Sequence, residues 1–265
     1  LYLGAGPPLG AAVPLTWESD SANAGDVSSD SGVVGDLDGD GFDDVVFTLY
    51  GHDDSGFQSG RAWLFSGGTT PDATPDLTFD LAQDRSELGG VAAGDLNGDG
   101  HVDLVLAAHA RDADGGPNTD DEGSVFVYYG GPALDATADV QIDGTQAGAS
   151  FGDETTVLDV TGDGHDDLVV SADGWDGGVA DEGRVFIYEG GPGWDQVPDW
   201  QFTLGATADD QFGDRLAAAG DVNGDGHPDL MVASAAYDDG AAVDEGRAWL
   251  FHGGPAFDTT PDLIF

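Results

Sequence analysis

The chain reads as an all-β protein made of repeated four-stranded antiparallel units, and three observations predict it. The apolar runs are short, rich in Val, Leu, Phe and Trp, and broken by Gly and Asp turn signals, so no segment sustains a helical period. One pattern returns four times, as DLDGDGFDDVVF from Asp36, DLNGDGHVDLVL from Asp95, DVTGDGHDDLVV from Asp159 and DVNGDGHPDLMV from Asp221, at spacings of 59, 64 and 62 residues. Each copy is followed in the same order by an Asp/Gly-rich loop, a run such as GRAWLFSGG and a short segment such as PDLTFD.

Taken in order, the first strand of a unit leads into the repeated Asp motif. The second (Val45 to Tyr50, Leu104 to Ala108, Leu168 to Ala172, Leu230 to Ala236) is almost continuously apolar, as a strand buried on both faces is. The third spans Arg61 to Gly68, Ser124 to Gly131, Arg184 to Gly191 and Arg247 to Gly254. The fourth (Asp76 to Asp80, Asp139 to Asp143, Asp199 to Thr203, Asp262 to Phe265) alternates acid or polar with apolar residues, which suits an outer strand whose charges discourage edge pairing. Units exposing two apolar faces bury them best by stacking around an axis, so the expected architecture is a β-propeller of four-stranded antiparallel blades, with a stacked solenoid the weaker alternative. Unit boundaries are expected at 18–80, 81–143, 144–203 and 204–265, with a half blade over 1–17 because LYLGAG and PLTW match third and fourth strands.

Charge limits the partners. The chain has 52 Asp plus Glu against 6 basic residues, all Arg, for a formal net charge of -46, a surface that repels nucleic-acid backbones and anionic lipid. Acid excess of this size often marks disorder, but 40% hydrophobic residues and 44 glycines punctuating apolar runs describe a chain that folds. The absence of Cys removes disulfides, thiol catalysis and Cys-based zinc sites, and no apolar run approaches the roughly 18 residues of a membrane span.

Cations are the expected partners, and the repeated motif supplies their ligands. In D-x-[DNT]-x-D-G-x-x-D, positions one, three, five and nine are Asp36, Asp38, Asp40 and Asp44; Asp95, Asn97, Asp99 and Asp103; Asp159, Thr161, Asp163 and Asp167; Asp221, Asn223, Asp225 and Asp229. Alternating oxygen donors in a tight turn cage a hard cation, and position seven (Phe42, His101, His165, His227) adds its backbone carbonyl, leaving the His rings to solvent. So many protein oxygens favour Ca2+ over Mg2+, about four ions in all. An EF-hand is rejected because its twelfth position here is Phe47, Leu106, Val170 or Val232, inside a strand. Metal-free Asp-Gly hairpins are the bland alternative, disfavoured because clustered carboxylates repel.

With these loops the chain resembles the FG-GAP repeat propellers, whose best-known members are the integrin alpha-subunit heads. Phe151-Gly152 and Phe212-Gly213 match the Phe-Gly element and Leu88-Gly89 nearly so, while Ser171-Ala172-Asp173 and Ser234-Ala235-Ala236 stand as degenerate forms of the Gly-Ala-Pro element. The resemblance covers essentially the whole chain. It implies a seven-bladed ring, of which four full blades and a half blade are visible.

Other signals carry less. Gly148 to Gly152 spells a G-x-S-x-G elbow, but it aligns with Asp209 to Gly213 of the next unit and lacks the strand-turn-helix setting that a catalytic Ser needs. Arg61, Arg184 and Arg247 recur just before the third strand and are expected to fork onto loop carboxylates. Trp63, Trp249, Phe126 and Phe186 are expected in the core between blades. Strand parity puts the loops joining strands two and three opposite the acidic loops; they vary in length and hold His52, His109, Arg111, Trp175 and Tyr237, a possible ligand face. There, Trp175 and Tyr237 either stack on a ligand or shield the ring's top.

The expected function is therefore a calcium-stabilised, extracellular or cell-surface adhesion or protein-interaction module without catalytic residues, binding a protein or glycan and assembling with remaining blades or other subunits. The alternatives are a lectin-like or polysaccharide-lyase propeller and a structural element of a surface fibre.

Overall fold

In the computed structural model the described residues are 31–50, 59–81, 86–112, 121–205, 207–239 and 245–265. The proposed half blade over 1–17 and His52 lie outside them. Among the described residues sixteen strands form four sheets of four, each antiparallel and in simple sequence order. Blade one is β1 (Ser31–Gly35), β2 (Asp44–Leu49), β3 (Arg61–Phe65) and β4 (Leu77–Asp80). Blade two is β5 (Leu88–Gly94), β6 (Asp103–Ala108), β7 (Ser124–Tyr128) and β8 (Val140–Asp143). Blade three is β9 (Thr155–Leu158), β10 (Asp167–Ala172), β11 (Arg184–Tyr188) and β12 (Trp200–Phe202). Blade four is β13 (Arg215–Gly220), β14 (Asp229–Ser234), β15 (Arg247–Phe251) and β16 (Leu263–Ile264). No helix occurs among the described residues, and none there is long and apolar enough to cross a membrane.

The apolar second strands are central because both faces are covered. Every residue of β6 and β10 is buried. Alternation then divides each strand between two neighbours: Leu104 and Leu106 join the core with blade one, whereas Val105 and Ala107 join the core with blade three. A third core lies between blades three and four, around Val169, Ile187, Phe212 and Phe251. The first strands β1, β5, β9 and β13 pack in succession, which makes them the inner strands of the array. Outer strands keep the predicted alternation, with Phe79 and Ile142 buried and Thr78, Asp80, Gln141 and Asp143 turned outward.

The Phe-Gly element is a plug between blades. Leu88, Phe151 and Phe212 are buried at the same position, and each is held by the loop before the preceding blade's third strand: Leu88 N–H reaches Ser59 O at 3.5 Å, Phe151 N–H reaches Glu122 O at 2.9 Å and Phe212 N–H reaches Glu182 O at 3.0 Å. The approach is so close that the residue after each acceptor (Gly60, Gly123, Gly183) must be Gly. A Cβ on Gly123 (φ 83) would lie 2.1 Å from Phe151 O, and one on Gly183 (φ 77) would lie 2.2 Å from Phe212 N. This also accounts for the apparent nucleophile elbow: Ser150, at φ 54, sits in an inter-blade turn whose N–H donates to Asp121 O. Trp63, Trp249, Phe126 and Phe186 are buried as expected, and Trp249 meets Phe212 edge-on at 5.1 Å.

Candidate metal loops and the opposite face

The acidic loops join the first and second strands of every blade, as strand order requires. Their internal bonding repeats. The first Asp accepts the N–H of the Gly at position six (Gly41 to Asp36 at 2.9 Å, Gly100 to Asp95 at 2.8 Å, Gly164 to Asp159 at 3.0 Å, Gly226 to Asp221 at 2.9 Å). The fifth accepts the N–H of position seven (Phe42 to Asp40, His101 to Asp99, His165 to Asp163, His227 to Asp225). These Asx-type bonds curl the loop into a tight turn. Asp36, Asp38 and Asp40 each bring a carboxylate oxygen within 4.8 Å of the others.

Position nine has a second role that spacing alone does not reveal. Asp44, Asp103, Asp167 and Asp229 are all 0% exposed and open the second strand. One oxygen accepts an N–H near the start of its own loop, from Leu37 at 2.8 Å, Leu96 at 3.0 Å, Thr161 at 3.0 Å or Val222 at 2.8 Å. The other accepts from Gly67, Gly130, Gly190 or Gly253 after the third strand. Asp44 Oδ2 also accepts the Asp38 N–H at 3.3 Å, while its Oδ1 keeps a further lone pair. Burial pushes Asp44 above the usual carboxylate range and Asp103 and Asp167 up to about 6, against the backbone N–H bonds that hold them down. A bound cation would reverse that shift.

The His101, His165 and His227 rings are part-buried rather than free in solvent, which corrects the sequence expectation for them. Each is part-buried between the Gly-Gly of its own blade and the loop of the preceding one. A Cβ on Gly39 would lie 3.4 Å from His101, one on Gly98 3.2 Å from His165, and one on Gly162 2.7 Å from His227. Backbone bonds pin the same junctions: Gly131 N–H to Leu37 O at 2.7 Å, Gly191 N–H to Leu96 O at 2.8 Å and Gly254 N–H to Val160 O at 2.9 Å. The acidic loops are thus part of the blade-to-blade contact. Phe42 is 43% exposed.

On the opposite face, Arg61, Arg184 and Arg247 open the third strands, as their expected bounds have it. Arg61 grips Asp80 Oδ2 through Nε at 3.1 Å and Nη2 at 2.7 Å. Arg184 lies over Trp175 (4.8 Å to the ring centroid) and donates to Gln201 at 3.1 Å. Arg247 lies over Tyr237 (4.2 Å) and donates to its hydroxyl at 3.0 Å. Tyr237 is 8% exposed, Trp175 packs edge-on against Phe186, and an arginine covers each ring. Arg111 likewise lies 5.4 Å over Phe126 and bonds Ser124 and Asp143.

His109 pairs with Glu87 at 3.3 Å. Burial pulls its pKa down, but Glu87, Asp153 and Asp173 together raise it above the ordinary value. Asp173 is itself pushed up to about 6, by burial and then by Asp153. This group gathers residues from blades two and three that lie far apart in sequence, and no motif marks it. A second carboxylate cluster, Asp238, Asp239 and Glu245, occupies the loop between β14 and β15. Its signal was the acid density of that loop.

Stacked four-stranded blades, each carrying a D-x-[DNT]-x-D-G-x-x-D loop between its inner two strands, define a propeller-type repeat protein. The profile of FG-GAP-like repeats matches residues 36–106 and 159–232, and that of FG-GAP repeats matches 89–128. The chain belongs to the FG-GAP repeat family. It is similar to integrin alpha-5 of Xenopus laevis, 31% identical over 182 residues that cover 66% of this chain and 17% of the relative. It is also similar to human integrin alpha-6, 36% identical over 115 residues (42% of this chain, 9% of the relative), and to human phosphatidylinositol-glycan-specific phospholipase D, 31% identical over 182 residues (63% and 20%). The matched region therefore spans a fifth or less of these relatives.

Proposed function

We propose that the chain is a calcium-stabilised segment of an FG-GAP propeller that acts as an adhesion or protein-interaction module outside cells or at their surface, with no reaction of its own. The observation that carries the calcium reading is the state of Asp36. Its Oδ1 is buried without a hydrogen-bond partner beside Asp38 and Asp40, an arrangement that costs free energy unless a cation completes it. Asp38, Asp40, Asp44 and the Phe42 carbonyl complete the proposed donor set, and the corresponding residues of the other three loops follow. The integrin alpha relatives support the adhesion reading and a surface location, and further blades of a seven-bladed ring are the natural neighbours of this array. The variable loops opposite the acidic ones are the proposed contact face for a protein or glycan.

Removal of divalent ions tests the metal. Extracellular modules bind calcium at roughly 10⁻⁴ to 10⁻³ M, so millimolar calcium, near tenfold Kd at the tight end, stabilises by about 1.4 kcal/mol per site. Four sites of that kind correspond to a Tm lowered by about 10 °C or more when EGTA replaces calcium, read by circular dichroism. An unchanged Tm would sink the calcium reading.

A further inference from the structure

Resting on that calcium reading, we infer that the four loops are unequal sites that fill in order, Asp36 to Asp44 first and Asp159 to Asp167 last. Charge is the first argument. Loop one has Asp at all four side-chain positions, whereas Asn97 and Asn223 replace the third in loops two and four, and Thr161 replaces it in loop three. Calcium affinity in oxygen-lined loops is tuned by the number of charged ligands and by rigidity.

The state of the oxygens is the second. In loops two, three and four the first-position Oδ1 accepts the N–H of position five, each at 3.0 Å, a bond with which an entering cation competes. In loop one the Asp40 N–H goes to Asp38 Oδ1 at 3.0 Å, and Asp36 Oδ1 stays buried with no donor. A buried anionic oxygen without a partner gains most from a cation.

Loop three is the weak end for a separate reason. The third-position oxygens of Asp38, Asn97 and Asn223 each accept the N–H of position five, which holds them in the loop. Thr161 makes no such bond; it is 8% exposed, and its Oγ1 is buried without a partner. A cation could satisfy that hydroxyl too, but the hydroxyl brings no charge. The site is also crowded by blade four, since a Cβ on Gly162 would lie 2.6 Å from Gly254 Cα.

Isothermal titration of the full chain with Ca2+ after chelator removal reads the order directly. The expected isotherm has a first event of one ion per chain, about tenfold tighter than the last. Asp36→Asn removes that event, Asp159→Asn leaves it in place, and Asn97→Asp tightens the event of loop two. Circular dichroism confirms that each variant is folded. Four equal sites, or a tightest event that survives Asp36→Asn and disappears in Asp159→Asn, would overturn the order while leaving the calcium reading intact. No calcium uptake by any form would overturn both.

Discussion

Phe212→Ala probes the junction of blades three and four. The ring is 0% exposed, meets Trp249 at 5.1 Å and Phe202 at 5.7 Å, and belongs to a core shared by both blades. Truncating a buried Phe costs about 3 to 5 kcal/mol in transfer and cavity terms, and two edge-on aromatic contacts are lost with it. For a chain of this size that corresponds to a Tm lowered by about 6 to 20 °C. The backbone bond from Phe212 N–H to Glu182 O survives the change, so the cost isolates the side chain. Urea denaturation followed by tryptophan fluorescence is the suitable assay, because Trp249 and Trp200 line this core and report its opening. Val197→Ala, at a position 66% exposed, serves as the control and should change stability by less than about 0.5 kcal/mol. A Phe212→Ala loss below about 1 kcal/mol, or one no larger than that of Val197→Ala, would refute the plug as a source of blade cohesion.

Two further outcomes follow from the same geometry. Gly123→Ala places a Cβ 2.1 Å from Phe151 O at φ 83, so it should destabilise by well over the cost of Gly148→Ala, where φ is 75 but nothing lies within 4 Å and only the backbone strain of about 1 kcal/mol remains; paired urea midpoints decide it. The His109 group makes stability fall as pH rises. His109 has a folded pKa above its unfolded value, so its contribution is full below about 6.5 and lost as pH climbs through the folded value. Asp173, raised from 3.8 to about 6, binds its proton more tightly in the folded chain and so adds a decline between those values. In urea titrations at several pH values, Asp173→Asn should flatten the lower window and His109→Gln the upper one; unchanged slopes would dismiss the cluster as a titrating unit.

Much of this fold is legible because its rules are local. Asp-Gly spacing sets the acidic turn, period and composition set the strands, and the return of both sets the blade. The recurrence of Arg61, Arg184 and Arg247 at the start of the third strand is legible for the same reason, although their partners differ from unit to unit. What could not be read are relations between blades. The His101, His165 and His227 rings look like solvent-facing loop residues until the preceding blade's loop is laid against them, and the seating of Arg247 over Tyr237 carries no mark in the sequence. The ninth-position Asp residues show a different gap: they stand at ligand spacing, yet their burial comes from Gly-Gly pairs 23 or more residues further on, as with Gly67 and Asp44. The cluster of Glu87, His109, Asp153 and Asp173 could be assembled only once the inner strands were side by side.

The junctions between blades two and three and between blades three and four are each riveted at both ends. Gly191 to Leu96 and Gly254 to Val160 close the acidic-loop side, while Phe151 to Glu122 and Phe212 to Glu182 close the other. Strands of five or six residues hold those ends roughly 17 to 20 Å apart. A blade caught between two such rivets has no pivot: tilting about one breaks the other, and sliding breaks both. The array is therefore suited to carrying load, because a pull on the variable loops passes through backbone bonds and packed rings to the acidic loops at the far side without a hinge between them.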